Sequence, residues 1–259
     1  MTGREALAEA ERRLAAAGVE TPRVDAEWLV AHLLGTTRTG VRARLDDEVT
    51  GLEPLLARRE SREPLAYVLG EWGFRRLVLT TDARALVPRP ETELLVERGL
   101  ALVAGLARPR ILDVGVGSGA IALALKDERP DALVTGVDVS VDALALAREN
   151  AERLGLEVEL REGDVGAAAA GWDLVVSNPP YVESLAGLQP ELGHEPRVAL
   201  VGSGFHERLA RSARTRFLVL EVGDGQAAEV AAVLEEAGYR DVTISRDLAG
   251  RDRVVEGAR

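Results

Sequence analysis

Asn178, Pro179, Pro180 and Tyr181 are consecutive residues whose types suit chemistry on a planar NH2 group. They follow the apolar run Leu174, Val175 and Val176, which reads as a strand feeding a turn. Each proline holds its own φ near about −65° and biases the preceding residue toward extended backbone, so the turn is stiff. A stiff turn at a strand's carboxyl end can hold the Asn178 side-chain oxygen and the Pro179 carbonyl as two convergent acceptors beside the Tyr181 ring. Two acceptors and a ring fit what an enzyme methylating an amide or a base amine must grip. A loop made only of good turn formers would carry the same four residues, so their surroundings have to decide.

A second constellation lies upstream. Ile111, Leu112, Asp113 and Val114 read as a strand entering the turn Gly115, Val116, Gly117, Ser118 and Gly119, with Ile121, Ala122 and Leu123 opening a helix. Glycines let backbone approach a ligand closely and set helix-terminal N–H groups beside it. By itself such a turn serves a nicotinamide, a flavin or S-adenosylmethionine equally well. Asp113, two residues before the first glycine, would repel a pyrophosphate but could accept from the ammonium group of a methionine moiety, which favours S-adenosylmethionine. Asp138 ends the next strand, where a carboxylate accepts from ribose hydroxyls, and Asp164 follows the third, where an acid accepts from an adenine amino group. The fourth strand delivers Asn178 to Tyr181 to the same edge.

The elements that must position these groups follow from periodicity. Apolar stretches at Arg110 to Val114, Ala132 to Asp138, Glu157 to Glu162, Trp172 to Ser177, Phe217 to Val222, Val242 to Ser245 and Val254 to Val255 read as seven strands, with helical patterns between most of them. This alternation predicts an α/β, Rossmann-like, doubly wound and mostly parallel sheet. Glu91 to Ala107 has helical spacing. Residues 1–70 read as a small helical domain: Leu7, Ala10, Leu14 and Ala17 share a face before Gly18, Thr21 and Pro22 look like an N-cap and first-turn pair, and Ala26, Leu29, Val30, Leu33 and Leu34 continue to Gly35. Residues 71–88 read as a hairpin-like connector, and 89–259 as the catalytic domain.

Composition excludes several classes. The 259 residues contain no cysteine, so disulfides, thiolate metal sites and cysteine nucleophiles are ruled out, and three scattered histidines make a zinc site unexpected. The expectation is no metal. A net charge of −11 argues against a broad electrostatic footprint on nucleic acid. Residues 1–70 hold ten Arg against twelve Asp and Glu, so most of the negative charge belongs to the larger part. With 46% hydrophobic residues but neither an unbroken apolar span nor a charged segment leading into an apolar one, the chain is expected to be cytoplasmic, with no membrane partner.

These motifs together resemble the release-factor glutamine methyltransferase family (PrmC/HemK), class I S-adenosylmethionine-dependent methyltransferases. The resemblance rests on Asp25-Ala26-Glu27 with Leu29 to Gly35, Pro64-Leu65, Tyr67 to Gly70 with Phe74, and Val87-Pro88-Arg89-Pro90-Glu91-Thr92-Glu93. Asp113 to Gly119, Asn178 to Tyr181, Glu195-Pro196-Arg197 and Asp247 to Arg253 complete it. The segment from Pro88 to Glu93 is the family-specific part; the glycine turn and Asn178 to Tyr181 occur in other methyltransferases.

The resemblance implies methylation of the glutamine in the Gly-Gly-Gln loop of peptide chain release factors, with S-adenosylhomocysteine as product and the helical domain helping to hold the factor. It implies that Gly115 to Gly119, Asp138, Val165 and Asn178 contact the cofactor, that Asn178 to Tyr181 grip the glutamine, and that Arg89 and Glu93 line the pocket. Val165 stands where the family often carries a larger residue, and Val201 to Arg216 is shorter than the family's loop and helix. Rival readings are a ribosomal-protein glutamine methyltransferase, a DNA or RNA adenine methyltransferase acting on a flipped base, and a cofactor-binding scaffold without turnover. The nucleic-acid reading calls for a basic groove, which the sequence does not offer.

Overall fold

The computed structural model describes residues 1–180 and 187–259. Tyr181, assigned above to the substrate site, lies outside the described residues. The chain divides into two units, one formed by Met1–Glu71 with Leu188–His194, the other by Trp72–Gly187 with Glu195–Arg259.

The first unit carries α1 (Gly3–Ala16), α2 (Pro22–Leu34), α3 (Leu52–Glu60) and α4 (Leu65–Leu69). Helix α1 starts with a capping box: Glu5 N donates to Thr2 Oγ1 at 3.3 Å and Thr2 N to the Glu5 carboxylate at 2.8 Å. Its buried stripe is Ala6, Leu7, Ala10 and Leu14, the spacing of one helix face. Thr21 stands at the N-cap of α2, yet its hydroxyl makes no cap bond and donates instead to Asp25 Oδ1 at 3.0 Å. The reason is the buried Arg59, which donates to the other Asp25 oxygen at 2.7 Å and draws that carboxylate inward. Arg59 also reaches Glu191 at 2.9 Å, and Arg62 grips Glu191 at 2.7 and 2.8 Å. This fork explains why a late segment, Leu188–His194, belongs to the early helices.

The second unit begins with the hairpin of β1 (Glu71–Phe74) and β2 (Leu77–Thr80), then runs α5 (Thr92–Leu102), β3 (Arg110–Val114), α6 (Ala120–Glu128), β4 (Leu133–Asp138), α7 (Val141–Leu154), β5 (Glu159–Glu162) and β6 (Trp172–Ser177). It continues with α8 (Arg197–Leu200), α9 (Phe205–Ser212), β7 (Thr215–Glu221), α10 (Ala227–Glu236), β8 (Arg240–Arg246) and β9 (Asp252–Ala258). Helix α5 stops short of the expected Ala107. Arg129 donates to the carbonyls of Val103, at 2.9 Å, and Leu106, satisfying the helix end and turning the chain early.

Among the described residues the main sheet has seven strands in the order β5-β4-β3-β6-β7-β9-β8. The first five are parallel, and β9 runs antiparallel to both β7 and β8. The central strands are near-continuous apolar runs because both faces are covered. Ile111, Leu174, Val176 and Val219 face a core with Leu95, Val96, Leu123 and Leu125 of α5 and α6. Leu112, Val114, Val175, Leu218 and Leu220 face Leu209, Val230 and Leu234 of α9 and α10. Strand β8 is longer than its sequence pattern suggests. It is a mostly exposed edge strand held by pairing with β9, so its side chains need no apolar alternation.

Candidate active site

The strand order reverses between β3 and β6, and the carboxyl ends of β3, β4 and β6 open there into a cavity of about 380 Å3. Crevices of this size outside the carboxyl ends of an open α/β sheet are where such folds bind small molecules. A broader depression of about 1020 Å3 lies at the opposite, amino ends of β3 to β5, beside Arg110, Leu133 and Arg161. It lies away from the carboxyl ends of β3, β4 and β6, where folds of this kind bind their ligands.

The glycine turn forms one wall. Gly115, Gly117 and Gly119 have φ of +80°, +55° and +88°, which L side chains rarely adopt. Gly115, Val116, Gly117 and Ser118 line the cavity, while Gly119 sits behind them as the N-cap of α6. The N–H groups of Gly115 and Val116 both donate to Val137 O, at 2.8 and 2.9 Å, Gly117 N donates to Asp138 Oδ2 at 2.9 Å, and Gly119 N to Val116 O at 2.9 Å. These four donors are already used, and two carboxylates stand close by. A pyrophosphate, which needs free donors, does not suit this turn.

Asp138 lines the cavity, its carboxylate accepting from Gly117 N and, at 2.9 Å, from Ser140 N. Asp164 and Val165 line it as well; Asp164 caps the following 3-10 turn by accepting from Gly166 N at 2.8 Å. Asp113 lies apart from these. It is 0% exposed beneath the turn and accepts from Ala122 N at 3.2 Å, with Oδ1 buried and unpartnered. Burial pushes its carboxyl up to about 7, against the pull of the Ala122 N–H.

The opposite wall holds Asn178 and Pro180, with Pro179 buried behind them. Ser177 Oγ donates to Val114 O at 2.6 Å and ties the ends of β6 and β3 together. Asn178 Nδ2 donates to Thr92 Oγ1 at 3.1 Å, which leaves Oδ1 as the side chain's acceptor. Arg89 also lines the cavity, paired with the buried Glu195, which accepts from Val87 N at 3.1 Å. Glu93 faces elsewhere and accepts from Arg75 N at 2.8 Å. The shortened segment after Leu200 does reach the cavity: Val201, Gly202 and Phe205 line it. Gly202 approaches so closely that a Cβ there would stand 2.9 Å from Pro180 Cγ.

Several supporting residues escaped the sequence reading. Asn150, fully buried, donates to Ser118 O at 3.0 Å and to Thr80 O at 3.1 Å, and so anchors the glycine turn to the hairpin. Gly136 gives Val116 room, since a Cβ would lie 2.6 Å from Val116 Cγ2. Thr92 and Glu195, which stood in the quoted motifs without a role, and Glu221 are buried polar groups around Asn178 and Arg89. Glu221 had a signal, being a lone acid inside the apolar run from Phe217 to Val222.

The sheet order, with its single reversed strand and its cavity at the switch point, defines a class I methyltransferase fold. Solved structures of similar fold include the hMettl16 catalytic domain in complex with a 3′UTR hairpin, with TM-score 0.57 at 16% identity over 79% of this chain and 81% of that one. A methyltransferase from Pyrococcus furiosus aligns with TM-score 0.50 at 18% identity, over 70% and 87%. Residues 5–70 match the PrmC N-terminal domain, and 91–195 the methyltransferase small domain. The release factor glutamine methyltransferase of Deinococcus radiodurans is 41% identical over 99% of this chain and 98% of its own, and that of Rhodospirillum rubrum 43% over 93% and 80%. The chain belongs to the release factor glutamine methyltransferase family.

Proposed function

We propose that this enzyme methylates the side-chain amide nitrogen of the glutamine in the Gly-Gly-Gln loop of peptide chain release factors, using S-adenosylmethionine and releasing S-adenosylhomocysteine. The observation that carries the reading is Asn178 at the cavity wall, with Nδ2 engaged by Thr92 and Oδ1 left to accept.

The cavity suits the methyl donor. Its glycine wall has backbone room, four of its turn N–H groups are internally satisfied, and its acids suit hydroxyls and amines rather than phosphate. Asp138 would accept from the ribose hydroxyls and Asp164 from the adenine amino group, with Val116, Ile121 and Val165 as apolar walls. Asp113, buried outside the cavity wall, accepts from Ala122 N and braces the start of α6. When bound, S-adenosylmethionine supplies a methyl group on an electrophilic sulfonium.

An amide nitrogen is a weak nucleophile because its lone pair is delocalised into the carbonyl. Asn178 Oδ1 and the Pro179 carbonyl accept its two N–H bonds and aim the nitrogen, and Arg89, held by Glu195, borders the same space. Methylation leaves the nitrogen cationic, and one of its two N–H protons then passes to water to give the neutral N-methyl amide; orientation of this kind is worth on the order of 7–11 kcal/mol, so no side-chain base is required to account for turnover. The helical unit contributes to gripping the factor. The setting is the cytoplasm, and no described helix is long and apolar enough to cross a membrane.

The test supplies radiolabelled S-adenosylmethionine with release factor, ribosomal protein or DNA as acceptor. Label is expected in release factor alone. Asn178→Ala is expected to lose at least about 100-fold in turnover, the range seen when one transition-state hydrogen-bonding group is removed, with most of the cofactor affinity retained. Unchanged turnover in that variant, or label in DNA, would overturn the reading.

A further inference from the structure

Between β2 and α5 the chain passes along the cavity as a strap, and residues 84–89 all line it. The strap's amino end is packed down. Ala85, 3% exposed, sits against Ala143 and Leu146 of α7, and Arg84 donates to Asp82 at 2.6 Å and to Glu149 of α7 at 2.8 Å. A Cβ on Gly117 would stand 4.0 Å from Ala85 Cβ, so the strap runs beside the glycine turn. Its other end has few means of fastening itself, because Pro88 and Pro90 have no N–H to donate. Among the described residues, the hydrogen bonds that tie 86–89 to anything beyond the adjoining start of α5 both end on Glu195. Its Oε2 accepts from Val87 N at 3.1 Å and its Oε1 accepts from Arg89.

The Glu195 side chain is 1% exposed. A carboxylate so buried is costly unless its oxygens are satisfied, and here the strap supplies a donor to each of them. Lifting the strap would strip both donors at once. The closed strap is therefore the resting state, and its opening is a discrete event controlled by one side chain. A ligand seated on the glycine turn has 86–89 as part of its wall, so this wall is only as firm as the Glu195 clasp.

We propose, resting on the reading of this cavity as the S-adenosylmethionine site, that Glu195 is a positioning residue that clasps the strap over the methyl donor and sets how fast the donor and S-adenosylhomocysteine leave. Glu195 acts through Val87 and Arg89 and touches no reacting atom.

The experiment compares full-length wild type with Glu195→Gln and with a control, Glu256→Gln. Glu256 is also a buried acid paired with an arginine, Arg98, but neither residue lines the cavity. The rate at which labelled S-adenosylhomocysteine dissociates is followed after a chase with excess unlabelled ligand. Glutamine has one acceptor oxygen for two donors, so Glu195→Gln gives up one bond of the clasp. Dissociation is expected to quicken about 10- to 100-fold, the scale of one charge-linked hydrogen bond, and KM for S-adenosylmethionine is expected to rise at least about fivefold. KM for release factor should stay within about threefold. In Glu256→Gln the dissociation rate should stay within about twofold of wild type, although its stability falls. Hydrogen exchange at the Val87 amide of the wild type gives a reading that needs no variant: saturating S-adenosylhomocysteine should slow it at least about tenfold, since a ligand that prefers the closed strap suppresses its opening. An unchanged dissociation rate in Glu195→Gln, equal acceleration in both variants, or Val87 exchange indifferent to ligand would overturn the proposal. A wild type that binds no S-adenosylhomocysteine would overturn the cofactor site and the clasp together. One that binds it but methylates no release factor would defeat the substrate reading alone, while the dissociation rates still decide the clasp.

Discussion

Asp113→Asn should stabilise the protein at high pH and not at low pH. The carboxyl is 0% exposed, accepts one hydrogen bond, from Ala122 N, and leaves Oδ1 unpartnered. Burial raises it from 3.8 to about 7. The folded state therefore holds the proton more tightly than the unfolded chain. The stability this carries is fully present below 3.8 and is lost as pH rises through about 7. A shift of about three units corresponds to about 4 kcal/mol at most.

Asparagine keeps an acceptor for Ala122 N and cannot ionise. Its Nδ2 takes the unpartnered position, at a cost of about 1–3 kcal/mol that the protonated acid's own O–H shares at low pH. The two proteins should therefore be similar at pH 5, and the variant more stable at pH 9 by as much as about 3 kcal/mol. The melting-temperature gap would then change by on the order of 10 °C between the two pH values. Glu221, also raised to about 7, titrates in both proteins and cancels from the comparison. The assay is urea unfolding without cofactor at pH 5, 7 and 9, followed by Trp172 fluorescence in a Trp28→Phe, Trp72→Phe background. A stability gap that is the same at all three pH values would refute the burial argument.

Gly136→Ala would put a Cβ 2.6 Å from Val116 Cγ2 and 2.9 Å from Leu160 Cδ2. Overpacking of this kind costs about 1–3 kcal/mol, and because Val116 lines the cavity, calorimetry should also show weaker S-adenosylmethionine binding. Glu195→Ala removes the acceptor for the buried Val87 N–H and the partner of Arg89, whose side chain is 36% exposed. Solvent around Arg89 limits the loss to about 1–3 kcal/mol, and Glu195→Gln should recover part of it in urea unfolding.

Much of the framework was legible because strands buried on both faces write themselves as apolar runs. Ile111 to Val114, interrupted only by Asp113, and Leu174 to Val176 are such runs; the glycine turn follows the first, and Asn178 stands two residues beyond the second. The glycine turn was legible for a similar reason: its positive-φ positions demand the residue type that marks them. Edge strand β8 and the early end of α5 were not. The first depends on pairing with β9 and the second on Arg129, neither of which leaves a local pattern.

By itself the sequence determined the family, the layered α/β framework and the order in which Asp138, Asp164 and Asn178 reach the crevice, since these depend on local periodicity and turn chemistry. Only the tertiary structure decided what each polar group does there. Asp113 turned under the glycine wall, Asn150 tied Ser118 to the Thr80 carbonyl, which lies 70 positions before Asn150 in the chain, and Leu188–His194 joined the helical unit through Glu191. Thr92, 86 residues before Asn178, accepts from the Nδ2 of that amide. A hydrogen bond's direction depends on partners brought together by folding, and separation along the chain does not encode it.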